Sequence, residues 1–172
     1  ANIVDVPVPS NHDDMLSRWL KRADWKHLSA ENADFYLETA LAMRRGSKMA
    51  TNGVSYPDPF TYWVKKANLP NVNALDMDES FKLAEVELGM HGDKGPNGSR
   101  GSIKNLRRIG VKSIIGHSHS PGIDEGCYQT GTSTYLRLEY NHGASGWLNT
   151  DVLLNADGKR QVITYIRGKY RI

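Results

Sequence analysis

The feature that most constrains the fold is a pair of short apolar segments that each lead into a histidine. In residues 81–90, Val86, Leu88 and Met90 alternate with other residues and are followed by His91. Residues 111–115 are predicted as a compact buried-type strand that ends at Gly116-His117-Ser118-His119. A glycine-rich loop and a short helix that starts near Ser102 lie between these two predicted strands. This order predicts a layered α/β or α+β architecture.

The other elements follow from periodicity and from residues that start or stop helices. Apolar and polar residues alternate over 3–8, which predicts a first strand. A strand-to-helix loop is predicted at 10–14, with a helix after it. Gly46 ends a helix predicted over 29–45, and Asp58-Pro59 starts one predicted over 60–67. Residues 51–59 are rich in turn formers, and residues 69–78 are predicted as loop. The remaining predictions are strands over 127–131, 134–140 and 147–154, a turn at 155–158, and a returning strand over 161–167.

Length and composition limit the class of protein. The chain has 172 residues, enough for one domain over 1–172 with one sizeable core. Its 39% hydrophobic and 24% charged residues exclude a disordered protein, and a formal net charge of +3 is compatible with an anionic substrate. A single cysteine, Cys127, allows no internal disulfide and favours the cytoplasm. No segment has the roughly 20 apolar residues that span a membrane, so no membrane association is expected.

Polar candidates stand directly after predicted strands, in three separate parts of the chain. They are Asn11 with His12, then His91, then His117 with His119. Loops that leave neighbouring strands converge on one edge of a sheet, where sites are built. Imidazole is the commonest ligand of Zn²⁺ and also suits Mn²⁺, Fe and Ni²⁺. Taken singly, each has a structural explanation: an Asn before a helix is usually a cap, and the histidines can be exposed loop residues.

Together the three segments resemble the calcineurin-like metallophosphoesterases. Ser10-Asn11-His12-Asp13 is similar to the family's Gly-Asn-His-Asp/Glu block, with Ser10 where glycine is usual. Met90-His91-Gly92 resembles its single-histidine block, and Gly116-His117-Ser118-His119 its closing Gly-His-x-His block. The blocks stand in the family's order. The resemblance runs from about residue 4 to the C-terminal hairpin and extends to phage-type members, which have a similar glycine-rich stretch after the histidine.

The resemblance implies a role for each residue. Asn11, His91 and His117 are the implied ligands of one metal, and His119 is the implied ligand of a second. His12 is the implied catalytic residue that contacts the phosphoryl oxygens or protonates the leaving group. Two divalent cations about 3.5–4 Å apart, drawn from Mn, Zn, Fe and Ni, would clamp the phosphate in the complete enzyme. The implied fold is a calcineurin-like β-sandwich flanked by helices, which ends in an antiparallel hairpin.

The chain departs from the family before Asn11. No Asp-x-His block and no Gly-Asp block stand in residues 1–10, and the second of these supplies the aspartate that bridges both metals. The expected sandwich is therefore incomplete, with one metal or none in this chain. It is a fragment of a longer enzyme, one half of a split gene, or a relative that no longer catalyses. An open sheet edge favours pairing, so a homodimer or a complementing N-terminal chain is expected.

The expected function is metal-dependent hydrolysis of a phosphomonoester or phosphodiester. A nucleic-acid phosphodiester, in DNA or a nucleotide, is favoured by the mild basicity and by the loop that holds Lys94 and Arg100. These two cations and the glycine amides of residues 92–102 are candidate phosphate contacts, or else part of a surface loop. The alternative function is a non-catalytic metal-binding or assembly module, in which His91, His117 and His119 hold one ion. The four tryptophans are predicted to be core or helix-packing residues and not base-stacking platforms.

Overall fold

The computed structural model describes residues 3–50, 53–55 and 57–171, which fall into two compact units, Ala1–Asp78 and Glu79–Ile172. The described residues form a mixed α/β structure, as the sequence predicts at this coarse level. The prediction of one domain over 1–172 stays a prediction. No helix in the described part of the chain is long and apolar enough to cross a membrane.

The described residues of the first unit form three α-helices. They are α1 (Asp14–Arg22), α2 (Ala30–Arg45) and α3 (Pro59–Ala67). The hydroxyl of Ser29 accepts a hydrogen bond from the Asn32 amide, and the Asp58 carboxylate accepts one from the Thr61 amide. Such bonds satisfy amides that the first turn of a helix leaves unpaired. These helices confirm the predictions over 29–45 and 60–67.

Strands are less developed in the first unit than predicted. The strand expected over residues 3–8 is wrong in extent, because the described part forms one parallel bridge, between Asp5 and Val72. Three backbone hydrogen bonds join this segment to residues 71–75, including Leu75 N–H to the Pro7 carbonyl at 3.1 Å. A short hairpin joins β1 (Lys48–Ala50) and β2 (Gly53–Ser55). The turn-rich prediction for 51–59 falls partly on 51, 52 and 56, which lie outside the described residues.

The second unit is built on a five-stranded sheet. Its strands are β3 (Lys82–Leu83), β4 (Val86–Glu87), β5 (Lys112–Ile115), β6 (Gly122–Asp124) and β7 (Cys127–Gln129), with α4 (Ile103–Leu106) before β5. The order across the sheet is β3-β4-β5-β7-β6, and β5 is parallel to both β4 and β7. Leu106, Ile115 and Cys127 form its buried core. Burial raises the pKa of the Cys127 thiol, which packs as a small core residue.

An antiparallel three-stranded sheet follows, in the order β10-β9-β8. It comprises β8 (Thr150–Leu154), β9 (Arg160–Ile166) and β10 (Lys169–Arg171). The predicted turn at 155–158 joins β8 to β9, so the C-terminal hairpin is confirmed. Arg160 ties this sheet to the first one: its Nη1 donates to the carbonyls of Ser113 and Gly126 at 3.0 and 2.6 Å.

Two predictions for the second unit are wrong. Residues 81–90 are not one strand, because Ala84 and Glu85 both have left-handed φ values, of 46° and 61°, and turn β3 back on β4. Residues 134–140 form no strand; the Asn141 side chain closes a turn on the Leu138 amide instead. Trp25 is not a core residue, since 42% of it is exposed.

Candidate metal centre

The parallel pairing of β4 and β5 brings the two histidine segments to the same edge of the sheet. The Gly116 amide donates to the His91 carbonyl at 2.9 Å, which continues the contact between the chains beyond the ends of both strands. The carboxyl ends of adjacent parallel strands therefore deliver His91 and His117 to neighbouring positions. This is the edge at which the sequence predicted a site.

The two histidine rings meet through their nitrogens. Nδ1 of His117 lies 3.3 Å from Nε2 of His91, and the ring planes are 77° apart. Two nitrogens that each lie about 2.0–2.1 Å from one tetrahedral Zn²⁺ are about 3.3 Å apart by simple trigonometry. The same spacing also suits a hydrogen bond between a protonated and an unprotonated nitrogen. In either arrangement at least one ring nitrogen of the pair presents a lone pair.

The backbone at the Gly-His-Ser-His segment is unusual. His117 and His119 both have left-handed φ values, of 71° and 60°. The Ser118 amide donates to the Gly116 carbonyl at 2.9 Å, which makes the turn tight. A left-handed non-glycine residue costs on the order of 1 kcal/mol, and such residues cluster at functional sites when surrounding contacts hold them.

Gln129 and Trp147, to which the sequence assigned no role at the site, hold this segment. Gln129, at the end of β7, is 6% exposed and donates from its side-chain amide to the Ser118 hydroxyl and to the Ser120 carbonyl. Trp147 packs edge-on against the His119 ring, with 4.3 Å between ring centroids. A lone glutamine in a strand and a tryptophan in a loop belong to no recognisable motif, so only the fold reveals them.

The glycine-rich loop closes on itself beside the histidines. Gly101 lies against the backbone of Gly92 and Asp93, which form the first arm of the loop. A Cβ on Gly101 would lie 1.9 Å from the Gly92 carbonyl oxygen. The amides of Gly95 and Gly101 donate to the carbonyls of Ser99 and Asp93, at 2.7 Å each. These amides are therefore directed into the loop, contrary to the expectation that they would face an anion.

Lys94 and Arg100 are paired across this loop in an antiparallel bridge, and both are exposed. Residues directly opposite each other on such a ladder project to the same side. The loop thus places two cationic side chains next to each other, an arrangement that an anion stabilises. The predicted phosphate contacts are brought together, independently of the glycine amides.

Asn11 and His12 belong to the first unit, in the turn that leads into α1. The Asp13 carboxylate stabilises this turn by accepting hydrogen bonds from the amide and hydroxyl of Ser10, at 2.7 and 2.8 Å. His12 is exposed and lies at a cavity of about 430 Å³. The other lining residues are Asp13, Leu16, Phe35, Phe60 and Trp63.

Of the predicted metal ligands, His91 and His117 are brought into contact. Within residues 3–50, 53–55 and 57–171, no three His, Cys, Asp or Glu side chains gather into a group suited to a metal ion. His119 accordingly does not join the pair as a third ligand there, and it contacts Trp147. Two imidazoles are a partial ligand set, because Zn²⁺ sites in proteins use three or four protein ligands.

Comparison with known proteins gives one informative similarity. The chain is 38% identical over 169 residues to Protein A1 of Escherichia phage T5. That alignment covers 95% of this chain and 29% of Protein A1, so the chain spans less than a third of the relative's length. No protein-family model matches the chain, and no solved structure matches it.

Proposed function

We propose that this chain carries part of the active site of a metal-dependent phosphoesterase of the calcineurin-like type. The observation that carries the proposal is the 3.3 Å approach of His117 Nδ1 to His91 Nε2 at the ends of adjacent parallel strands. Both rings come from blocks that resemble the family's metal motifs. Their spacing fits two ligands on one ion.

In this proposal His91 and His117 hold one divalent cation, and His119 is a ligand of a neighbouring ion. The metal would supply Lewis-acid activation of a phosphoryl oxygen. By the resemblance of its sequence block, His12 would donate a proton to the leaving group. Lys94 and Arg100 would contact phosphate oxygens through the cationic edge of their loop.

The proposed substrate class is a phosphodiester in nucleic acid. Its support is the adjacent Lys94 and Arg100 side chains and the net charge of +3. A DNA or nucleotide partner and a second protein chain that completes the site remain parts of the proposal.

A metal titration with matched variants tests the centre. Zn²⁺ binding to the purified chain is measured by competition with a chromophoric chelator, for the wild type and for His91→Ala, His117→Ala and His142→Ala. Loss of one imidazole ligand should weaken binding at least tenfold in the first two variants. His142 is exposed and outside the three motif segments, so His142→Ala should bind as the wild type does. Equal affinities for all four proteins would refute the centre.

The catalytic part of the proposal has a separate test. Hydrolysis of bis-p-nitrophenyl phosphate with Mn²⁺ is measured for the protein as its complete gene encodes it. Two bound metals and turnover support the enzyme; one bound ion and no turnover, with His91 and His117 as ligands, support the non-catalytic metal-binding module. His12→Ala should lower turnover without changing metal affinity, because His12 acts on the leaving group.

A further inference from the structure

Gln129 is a buried strand residue whose side chain reaches the turn between His117 and His119. It ends β7, where it pairs with Ile115 of β5 on one side and Gly122 of β6 on the other. Only 6% of the residue is exposed. A buried side-chain amide must find hydrogen-bond partners within the protein, since an unmade bond costs free energy there.

Both partners of the Gln129 amide nitrogen lie in that turn. Nε2 donates to the Ser118 hydroxyl and to the Ser120 carbonyl oxygen. The carbonyl can only accept, which fixes the orientation of the amide with its nitrogen toward the turn. Both N–H groups are therefore directed at residues 118–120. The Ser118 hydroxyl also donates to the Ser120 carbonyl at 3.2 Å, so the three groups form one network.

The network braces a strained backbone. Ser118 stands between His117 and His119, whose left-handed φ values of 71° and 60° would relax if the turn were free. Ser118 is itself exposed, so the turn is attached to the sheet through Gln129 and not through burial of its own side chain. Release of this attachment would let the His117 ring move away from His91.

We propose that Gln129 is the positioning residue of the metal centre: it holds residues 117–120 in the conformation that presents His117 to His91. This inference rests on the proposed function, because it assigns Gln129 a role in metal affinity. Residues that orient metal ligands typically change affinity 10–100-fold when they are replaced. Ser118 transmits the effect, as the hydroxyl that receives the Gln129 hydrogen bond.

The decisive variant is Gln129→Leu, which replaces the amide with a branched apolar side chain of similar size and removes both donors. Gln161→Leu is its matched control, because Gln161 is exposed on β9. The measurements are Zn²⁺ affinity by chelator competition and the thermal midpoint of the metal-free protein. Gln129→Leu should bind Zn²⁺ at least tenfold more weakly, and Gln161→Leu should bind as the wild type does.

A merely structural role would lower the thermal midpoint and leave the folded protein with wild-type Zn²⁺ affinity, and that result overturns the inference. If Gln129→Leu does not fold, Ser118→Ala replaces it, since that position is exposed and tolerates truncation. Ser118→Ala should weaken Zn²⁺ binding several-fold relative to Ser133→Ala, also at an exposed position; unchanged affinity in Ser118→Ala contradicts the proposal.

Zn²⁺ titration of the wild type distinguishes failure of the proposed function from failure of the role proposed for Gln129. If the wild type binds no Zn²⁺ through His91 and His117, the proposed function itself fails. If the wild type binds through both histidines and Gln129→Leu binds equally well, the metal centre stands and only the role of Gln129 is lost.

Discussion

At the scale of single residues, the candidate site depends on close approaches that few side chains permit. Gly101 is the clearest case, because the loop's two arms meet at its Cα. The sequence marked residues 92–102 as a glycine-rich loop, but it could not say which glycine has no room for a side chain. That distinction comes from the distance between two backbone segments, and no local pattern encodes it.

Gly101→Ala should lower the free energy of unfolding by about 1–3 kcal/mol, because the arms must separate to admit a methyl group. Chemical denaturation measures the change. Gly126→Ala is the control, since a Cβ there would meet its nearest neighbour at 3.7 Å, an ordinary contact distance. Gly126→Ala should change stability by less than about 0.5 kcal/mol. Equal effects in the two variants would show that the close approach at Gly101 does not exist.

The Gly-His-Ser-His motif shows which contacts a local sequence pattern can predict. His91 and His117 were predicted to converge because each follows a strand, and they do. Gln129 was not predicted, because it acts across the sheet from β7 and follows no motif. The convergence of loop residues can be predicted from strand order, whereas the residues that hold those loops in place depend on strand pairing.

At the scale of elements, the hairpin from β3 to β4 depends on a buried carboxylate. Glu87 is 6% exposed and accepts hydrogen bonds from the Ser80 hydroxyl and from the Phe81 and Gly89 amides. Burial alone would raise the pKa of Glu87, but these hydrogen bonds outweigh it and lower the pKa below its usual value. The ionised form is therefore the one that stabilises the hairpin.

Glu87→Gln should destabilise the protein by about 1–2 kcal/mol near neutral pH. Because the pKa of Glu87 is lower in the folded state than in the unfolded state, its stabilisation is complete above the unfolded pKa. It is lost as the pH falls through the folded pKa. Denaturation curves at several pH values should show a constant difference between the wild type and Glu87→Gln above the unfolded pKa, and a difference that shrinks as the pH falls through the folded pKa.

Glu139→Gln, at an exposed position outside any strand, is the matched control and should have little effect. A Glu87→Gln difference that stays constant from pH 7 to acid pH would mean that the charge of Glu87 contributes nothing to the hairpin.

Capping residues made the helices predictable, whereas turns without a sequence signal made the strands less predictable. Ser29 and Gly46 bound α2 as their residue types suggest. Ala84 and Glu85 gave no turn signal, since left-handed conformations are typical of glycine and asparagine. Residues 134–140 have strand-forming composition, yet Tyr135 is 81% exposed and packs no sheet. Amino-acid composition therefore predicted correctly which residues favour an extended conformation, but it predicted incorrectly which segments pair into a sheet.

At the scale of the whole molecule, Arg160 links the two sheets of the second unit. Its guanidinium donates to carbonyls of Ser113 and Gly126 and lies 4.2 Å from the centre of the Tyr128 ring. Arg160→Ala leaves these carbonyls without that donor and should cost about 2 kcal/mol of stability. Arg108→Ala, on an exposed 3₁₀ turn, is the control and should be nearly neutral in chemical denaturation. Equal effects would exclude Arg160 as the link.

The predicted mixed α/β class was recovered because apolar runs and capping residues are local signals. The calcineurin-like architecture, the cytoplasmic location and a partner chain remain proposals, and they concern properties that local signals do not determine. Size-exclusion chromatography with light scattering tests the expected homodimer: a mass near twice 19.2 kDa supports it, and a monomer mass leaves a complementing chain as the remaining expectation.

The central claim, that His91 and His117 bind one metal ion, is tested most directly by long-range proton–nitrogen NMR of the histidine rings during Zn²⁺ titration. The geometry predicts coordination through Nε2 of His91 and Nδ1 of His117, with the proton left on the opposite nitrogen of each ring. Both signals should move together and saturate at one equivalent of Zn²⁺, while those of His27 and His142 stay in place. Ring signals of His91 and His117 that do not respond to Zn²⁺ would contradict the account.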